Sequence, residues 1–169
     1  TKDALGAVFR LLDMGVPAYL LAAALTGVVA QRLVRRLCPH CRAPSEEALP
    51  AWAGEAPAEG GQLWRAAGCT ACGGTGFSGR LALQELLVVD AALQQAIVHR
   101  AGLEEMRELA GRQGMRTLAE DGIEKALQGR TTISEVVRVL YGEADAADFS
   151  GTFSGAARED CGGADDGGV

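Results

Sequence analysis

The chain has 169 residues and a net charge of -6, with 48% hydrophobic, 22% charged and only 5% aromatic residues. That composition belongs to a folded protein with an aliphatic core, and the length suits one ordinary domain or two small ones. The charge is unevenly placed: residues 142–169 carry seven acids against Arg158, whereas the first 141 residues balance at fifteen of each sign, so there is no strongly basic body and no nucleic-acid partner is expected.

The opening is helical. Leu5, Val8, Phe9 and Leu12 recur at helical spacing from Ala4 to Met14, Asp3 is placed to cap the N-terminus, and Gly15 ends the run. Pro17 suits the first turn of a second short helix reaching Leu25. From Val28 to Leu37, Val and Leu density with Arg32, Arg35 and Arg36 interleaved reads as a strand. Residues 1–37 therefore look like the edge of an α/β layer whose other strands lie elsewhere. A helical pattern that starts at once, with no leader, reads as a portion of something longer. The uncharged run from Met14 to Gln31 approaches the minimum length of a membrane span. Gly15, Pro17, Thr26, Gly27 and Gln31 interrupt it, so a buried helix followed by a buried strand is the better reading, and no transmembrane segment is expected.

Between Cys38 and Gly79 the texture changes. Four of the five prolines (Pro39, Pro44, Pro50, Pro57) and four of the five cysteines lie there, and no periodicity survives. Leu49, Trp52, Leu63 and Trp64 offer a small apolar cluster. A loop this long inside a compact domain is unusual unless something staples it. Residues 42–68 have too few large apolar side chains to order themselves.

Arg80 to Val89 returns to strand texture, with Gln84 and Glu85 as polar interruptions. Helices are then predicted over Ala91 to His99, Leu103 to Arg112, Leu118 to Leu127 and Ile133 to Tyr141, punctuated by Gly102, Gly114 and Gly129. Thr132 and Glu135 have capping-box spacing, in which hydroxyl and carboxylate each accept an orphan N–H. The remaining tail holds seven glycines in residues 142–169 and few apolar side chains, a composition that predicts disorder.

The chemistry sits in two C-x-x-C pairs. Cys38-Pro39-His40-Cys41 and Cys69-Thr70-Ala71-Cys72 are separated by 27 residues. Two such turns complete a tetrahedral four-sulfur shell, and thiolate softness selects zinc over magnesium or calcium. Gly68, Gly73, Gly74 and Gly76 suit a knuckle whose amides turn toward sulfur. Cys-Pro-His-Cys also occurs as the dithiol of thiol–disulfide oxidoreductases, but Pro44 follows too soon for the required helix and a second C-x-x-C has no role there. Two structural disulfides are a further alternative. Cys69 to Gly76 also fits the C-x-x-C-x-G-x-G knuckle of Hsp40-type chaperones, present here as one copy, which supports zinc and not chaperone function.

His40 lies between two better ligands, His99 suits a helix C-terminus, and Cys161 reads as a free thiol in the tail. No G-x-x-x-x-G-K-[ST] phosphate loop occurs, so the chain has no standard cradle for a nucleotide.

An ordered series of segments carries a resemblance. It runs through Thr1-Lys2-Asp3-Ala4, Arg10-Leu11-Leu12-Asp13-Met14-Gly15 and Val29 to Cys41, then Gly68 to Cys72 and Gly76-Phe77-Ser78-Gly79-Arg80. It continues through Glu85-Leu86-Leu87, Gly114-Met115, Asp121-Gly122 and Gly129-Arg130-Thr131-Thr132. Over about residues 1–141 this resembles the C-terminal part of type II secretion ATPases, with type IV pilus assembly ATPases as close relatives; Asp121-Gly122 is one of the small cues between them.

The resemblance implies a hexameric RecA-like motor at the cytoplasmic face of the inner membrane, using ATP and magnesium to drive pseudopilus assembly against cytoplasmic domains of membrane-embedded secretion components. It implies that Cys38, Cys41, Cys69 and Cys72 hold a structural zinc in a protruding subdomain. The family's phosphate loop, acidic magnesium residues and histidine box would precede Thr1, so no catalytic residue is carried over. Lys2 stands where the family usually has Asn, and Phe77 where it usually has Tyr. The expected division is a RecA-like edge over 1–37, a zinc subdomain over 38–79, a returning strand and C-terminal helical bundle over 80–141, and an acidic tail over 142–169. Strands 28–37 and 80–88 would close one edge of the RecA-like sheet. Arg32 and Arg80 border that edge, either facing a neighbouring subunit's nucleotide or forming a salt bridge at the base of the subdomain. A free-standing zinc interaction module is the alternative from another class.

Overall fold

The computed structural model describes residues 2–50 and 61–142. In chain order it runs α1 (Ala4–Asp13), α2 (Ala18–Ala24), β1 (Gly27–Leu37), β2 (Arg42–Pro44), β3 (Trp64–Ala66), β4 (Phe77–Val88), α3 (Ala91–Val98), α4 (Leu103–Arg112), α5 (Leu118–Leu127) and α6 (Ile133–Tyr141). The chain is thus a mixed α/β structure. The helices and both long strands lie where periodicity placed them, with small shifts at the ends: β4 starts at Phe77, not Arg80. Trp52 and the acidic tail from Glu143 onward, including Cys161, lie outside the described residues.

Strands β1 and β4 pair with each other, antiparallel, from Gly27↔Val88 to Arg35↔Arg80. Side chains alternate across this ribbon. Its inner face carries Val34, Leu83 and Leu87, all buried; its outer face leaves Val29, Leu33, Leu86 and Val88 at least half exposed. The inner face serves two cores. Leu87 joins Leu5, Val8, Leu93, Ile97 and Met106 from α1, α3 and α4. Val34 and Leu83 join Leu63, Leu118, Ala126, Ile133 and Val136, mainly from α5 and α6.

Glu85 sits between these cores. It is only 4% exposed, and its carboxylate accepts the Ala4 N–H at 2.7 Å and the Leu118 N–H at 3.2 Å. Both amides belong to first helical turns, where donors lack an intrahelical partner and the helix dipole favours negative charge. The residue read from the sequence as a polar interruption of β4 therefore ties α1 to α5 through one carboxylate. The edge of β4 is closed by α5: Asp121 Oδ2 accepts the Gln84 N–H at 2.8 Å, Lys125 Nζ donates to Ala82 O at 2.9 Å, and the two side chains pair with each other. Covering an edge in this way removes a site for unwanted strand pairing.

Gly122, next to Asp121, lets α5 approach α6. A Cβ there would lie 2.5 Å from Val136 Cγ1 and 3.3 Å from Leu83 Cδ1, both fully buried residues. Overpacking of this kind costs about 1–3 kcal/mol, against a helix-propensity gain of about 1 kcal/mol for Ala over Gly. Gly122→Ala is therefore expected to be net destabilising and to lower the thermal midpoint by a few degrees; an unchanged or raised midpoint in a calorimetric scan contradicts the close packing.

Two expectations need correction. The segment between Cys41 and Cys69 is not without regular structure, because β2 and β3 form a short antiparallel ladder with Ala43 opposite Arg65. Strands of three residues are too short for alternation to show in the sequence. The small apolar cluster expected there is met in part, since Leu63 is 5% exposed within the second core and Leu49 packs against that core. The capping box proposed at Thr132 and Glu135 is only half made. The Thr132 hydroxyl accepts the Glu135 N–H at 3.2 Å, but the Glu135 carboxylate turns to β1 instead of back to Thr132. The reciprocal box forms on α5, between Thr117 and Glu120.

Candidate metal centre

Beyond its pairing with Arg80, β1 shifts register between Arg35 and Leu37 and leads directly into the first cysteine turn. Cys41 and Arg42 both direct their N–H groups to Cys38 O, at 3.4 and 3.1 Å, which closes that turn. The second turn is a short 3-10 segment, Thr70–Cys72, closed by Cys72 N–H to Cys69 O at 3.2 Å and followed by Gly73 in the left-handed region. The two turns are held together by the Cys38 N–H, which donates to Gly76 O at 2.9 Å. Gly76 has φ +74, and a Cβ there would sit 2.5 Å from Ala66 Cβ, so no larger side chain fits this crossing.

The four sulfurs come together. All four Sγ atoms lie within 4.8 Å of one another. Cys69 and Cys72 are 3.7 Å apart, Cys41 and Cys72 3.8 Å, and Cys38 and Cys69 3.9 Å. A tetrahedral metal with metal–sulfur bonds of about 2.3 Å sets its sulfurs about 3.8 Å apart; these three separations match that value, and the four cysteines are close enough to hold one metal ion. The separations are far too long for disulfides, and all four are free thiols.

Electrostatics around the sulfurs are uneven. Burial by itself pushes the Cys72 thiol up, but the Cys69 and Gly76 N–H groups aimed at its sulfur, at 3.2 and 3.1 Å, bring it down to about 6. The knuckle thus turns its amides toward sulfur, as the glycine pattern predicts. Burial, followed by the neighbouring Cys69 thiol, pushes Cys41 up to about 12. Without a cation one thiolate is favoured and the next is opposed; a divalent metal supplies the positive charge that would let all four ionise.

The other residues singled out in the sequence are not brought to this cluster. Arg32 pairs with Leu83 on the inner face of the ribbon, whereas Arg80 is exposed on the outer face, opposite Arg35. The two arginines therefore lie on opposite sides of one ribbon. His40 is exposed at the tip of the first turn. His99 is exposed at the C-terminus of α3, beside a cleft of about 430 Å³ that it lines with Tyr19, Gln94, Gln95 and Val98 and no acidic residue.

Glu135, expected only as half of a cap with Thr132, makes a long-range contact instead. Its carboxylate, 2% exposed, accepts the Arg35 N–H at 3.1 Å, Arg35 Nη2 at 2.6 Å, and Arg138 Nε and Nη2 at 2.9 Å each. The Arg35 guanidinium also lies 4.1 Å above the Phe77 ring. The Thr132–Glu135 spacing marks this residue in the sequence, but as a local cap and not as a link to β1.

Comparison with known proteins gives this architecture its relatives. A family model described as "Type II/IV secretion system protein" matches residues 1–138. The chain is 49% identical over 141 residues to the type IV pilus assembly ATPase PilB of Thermus thermophilus, covering 81% of this chain and 16% of that protein. It is 44% identical over 139 residues to the type II secretion system protein HxcR of Pseudomonas aeruginosa, covering 82% and 26%. With the type II secretion system ATPase E of Vibrio cholerae the figures are 43% over 141 residues, 82% and 28%. The chain thus spans between 16% and 28% of the length of these relatives. Among the described residues, no helix is long and apolar enough to cross a membrane. On the match over residues 1–138, the chain belongs to the type II/IV secretion system protein family.

Proposed function

We propose that this chain is the C-terminal portion of a hexameric cytoplasmic ATPase that powers type II protein secretion, peripheral to the inner membrane, with Cys38, Cys41, Cys69 and Cys72 holding one structural zinc. The observation that carries this reading is the family match along residues 1–138, to relatives named as secretion and pilus ATPases. In the complete protein, ATP and magnesium would be bound by residues outside this chain, and the partners would be cytoplasmic domains of the membrane-embedded secretion components.

The ribbon supports a role as one edge of a RecA-like sheet. Val29, Leu33, Leu86 and Val88 expose apolar surface on its outer face, which suits burial against a larger body. The helices after β4 would form the C-terminal bundle, and the segment 38–79 the zinc subdomain. Zinc suits the four-sulfur set because it is soft enough for thiolate and accepts a tetrahedron. Four thiolates fill that tetrahedron and leave no open position for water, so the metal would order the chain and not act as a Lewis acid. The exposure of Arg80, opposite Arg35, supports a role for it at a subunit interface; Arg32, on the inner face, suits the alternative of holding the base of the subdomain.

Phosphoryl transfer depends on a phosphate cradle and metal-binding acids that position and neutralise the transferred group. The isolated chain, lacking that loop, is expected to hydrolyse no ATP above background. The complete protein is expected to do so and to lose secretion when the gene is deleted. Turnover by the isolated chain that survives repurification and is lost on mutating a residue within 1–141 overturns the reading. The 49% identity to a pilus assembly ATPase favours a second reading, a type IV pilus motor; loss of pili with secretion intact in the same deletion strain selects it.

A further inference from the structure

The turn at residues 129–132, between α5 and α6, touches the cysteine-bearing chain on both sides of the first C-x-x-C pair. Before Cys38, the fully buried Thr131 donates its hydroxyl to Arg35 O at 2.8 Å, and Arg130 O accepts the Leu37 N–H at 2.9 Å. Glu135, in the first turn of α6, accepts the Arg35 N–H at 3.1 Å. After Cys41, Arg42 Nη1 donates to Gly129 O at 2.7 Å while its guanidinium lies 4.8 Å above the Trp64 ring. Gly129 has φ +67, and a Cβ there would be 2.9 Å from Arg42 Nη1 and from two atoms of the Trp64 indole. Glycine is thus what allows the turn to come this near.

These contacts fall where β1 parts from β4. The register shifts between Arg35 and Leu37, and a bulge of this kind re-aims a strand. Two amides of the departing strand are taken by the 130–135 segment, whereas the next one, Cys38 N–H, is taken by Gly76 of the second cysteine turn. The first sulfur therefore leaves a backbone fixed from the helical side just before it and from the knuckle at its own position.

We infer that residues 129–135 are the seat that positions the first cysteine pair, so that metal loading at the four sulfurs and docking of α6 are thermodynamically linked. Thr131 and Arg42 act as positioning residues, without touching the metal. The inference rests on the metal reading of the four cysteines. A metal that binds only the arrangement in which Cys38 and Cys41 face Cys69 and Cys72 stabilises whatever else that arrangement shares, and linkage makes the effect reciprocal.

The test uses the 169-residue chain loaded with one equivalent of zinc, and follows the rate of zinc transfer to excess chelator. Thr131→Val keeps the side-chain volume and removes the donor to Arg35 O; Arg42→Met keeps an apolar stem over Trp64 and removes the donor to Gly129 O. Ile97→Val, a truncation in the other core, controls for general loss of stability. Partners that orient metal ligands typically change affinity by about 10–100-fold, so both positioning variants are expected to release zinc about tenfold faster, with Ile97→Val at the wild-type rate. Chelating the wild type should speed amide exchange at Leu37 and in the first turn of α6, while α3 keeps its protection. Zinc release at the wild-type rate from both positioning variants overturns the inference, as does equally fast release from Ile97→Val. Where Thr131→Val fails to fold, Arg42→Met carries the test, because that side chain is exposed. A wild-type chain that takes up no zinc overturns the metal reading itself, and the inference with it.

Discussion

Replacing Cys69 by Ser is expected to drop bound zinc below one equivalent per chain and to open residues 66–76 to protease, while most helical circular dichroism survives. The reason lies in what each segment can bury. Residues 67–76 contain no large apolar side chain, and their order comes from turn hydrogen bonds and the sulfur cluster. A site of this kind does not persist in an unfolded segment, so metal-binding free energy is folding free energy for it. The helices, by contrast, are held by two aliphatic cores that contain Met106, Ile97, Ile133 and Val136 with essentially no exposure.

The β2–β3 ladder sits between these extremes. Leu63 is buried in the second core, and the Ser45 N–H donates to Leu63 O at 2.8 Å. The ladder should therefore resist cleavage longer than the knuckle, and limited proteolysis of the variant should cut within 66–76 first. Metal analysis and mass spectrometry of the fragments check both halves. Full zinc occupancy in the variant, or an intact knuckle after chelation of the wild type, shows that the four-cysteine assignment is wrong.

Loss of the Glu135 carboxylate is expected to cost about 2 kcal/mol, and the same contribution should vanish in acid. Burial by itself pushes this carboxyl up, but four donors from Arg35 and Arg138 outweigh it and hold the group at about 2 instead of 4.5. A folded-state pKa below the unfolded one favours the folded state wherever the unfolded carboxyl is ionised. The stabilisation is therefore complete above pH 4.5 and is lost as the pH falls toward about 2.

A full shift of that size corresponds to about 3 kcal/mol. Arg35 and Arg138 are 53% and 40% exposed, so water screens both cations and rehydrates them when the carboxylate is gone, which argues for the smaller figure. Denaturant unfolding of Glu135→Gln at pH 7 should show the loss. Between pH 4.5 and 2 the wild type should converge on the variant. A constant gap across that range means that the carboxylate charge is not what stabilises the contact.

The positions of the helices and of both long strands were legible from residue types alone, because their signals are local. Leu5, Val8 and Leu12 recur at helical spacing, Asp3 caps the helix that follows it, and the positive-φ glycines Gly15, Gly114 and Gly129 follow helix ends. The cysteine cluster was legible for a similar reason, since each C-x-x-C turn presents two sulfurs from one tight loop, whatever surrounds it. The family was legible because an ordered series of short segments is far rarer than any one of them.

What tertiary structure decided was the destination of each polar side chain. Glu85 looks like an ordinary strand carboxylate in the sequence and Glu135 like the second half of a local cap; only the fold shows that one joins the first turns of α1 and α5 and that the other reaches β1 across the chain. Arg32 and Arg80 look like a pair, and strand alternation puts them on opposite faces. The ladder of β2 with β3 is too short to announce itself and depends on Leu63 finding a core built by residues elsewhere in the chain. Backbone propensity and loop chemistry act over a few residues and can be read in order. A hydrogen bond between residues a hundred positions apart depends on which surfaces packing has brought together, and no local pattern encodes that.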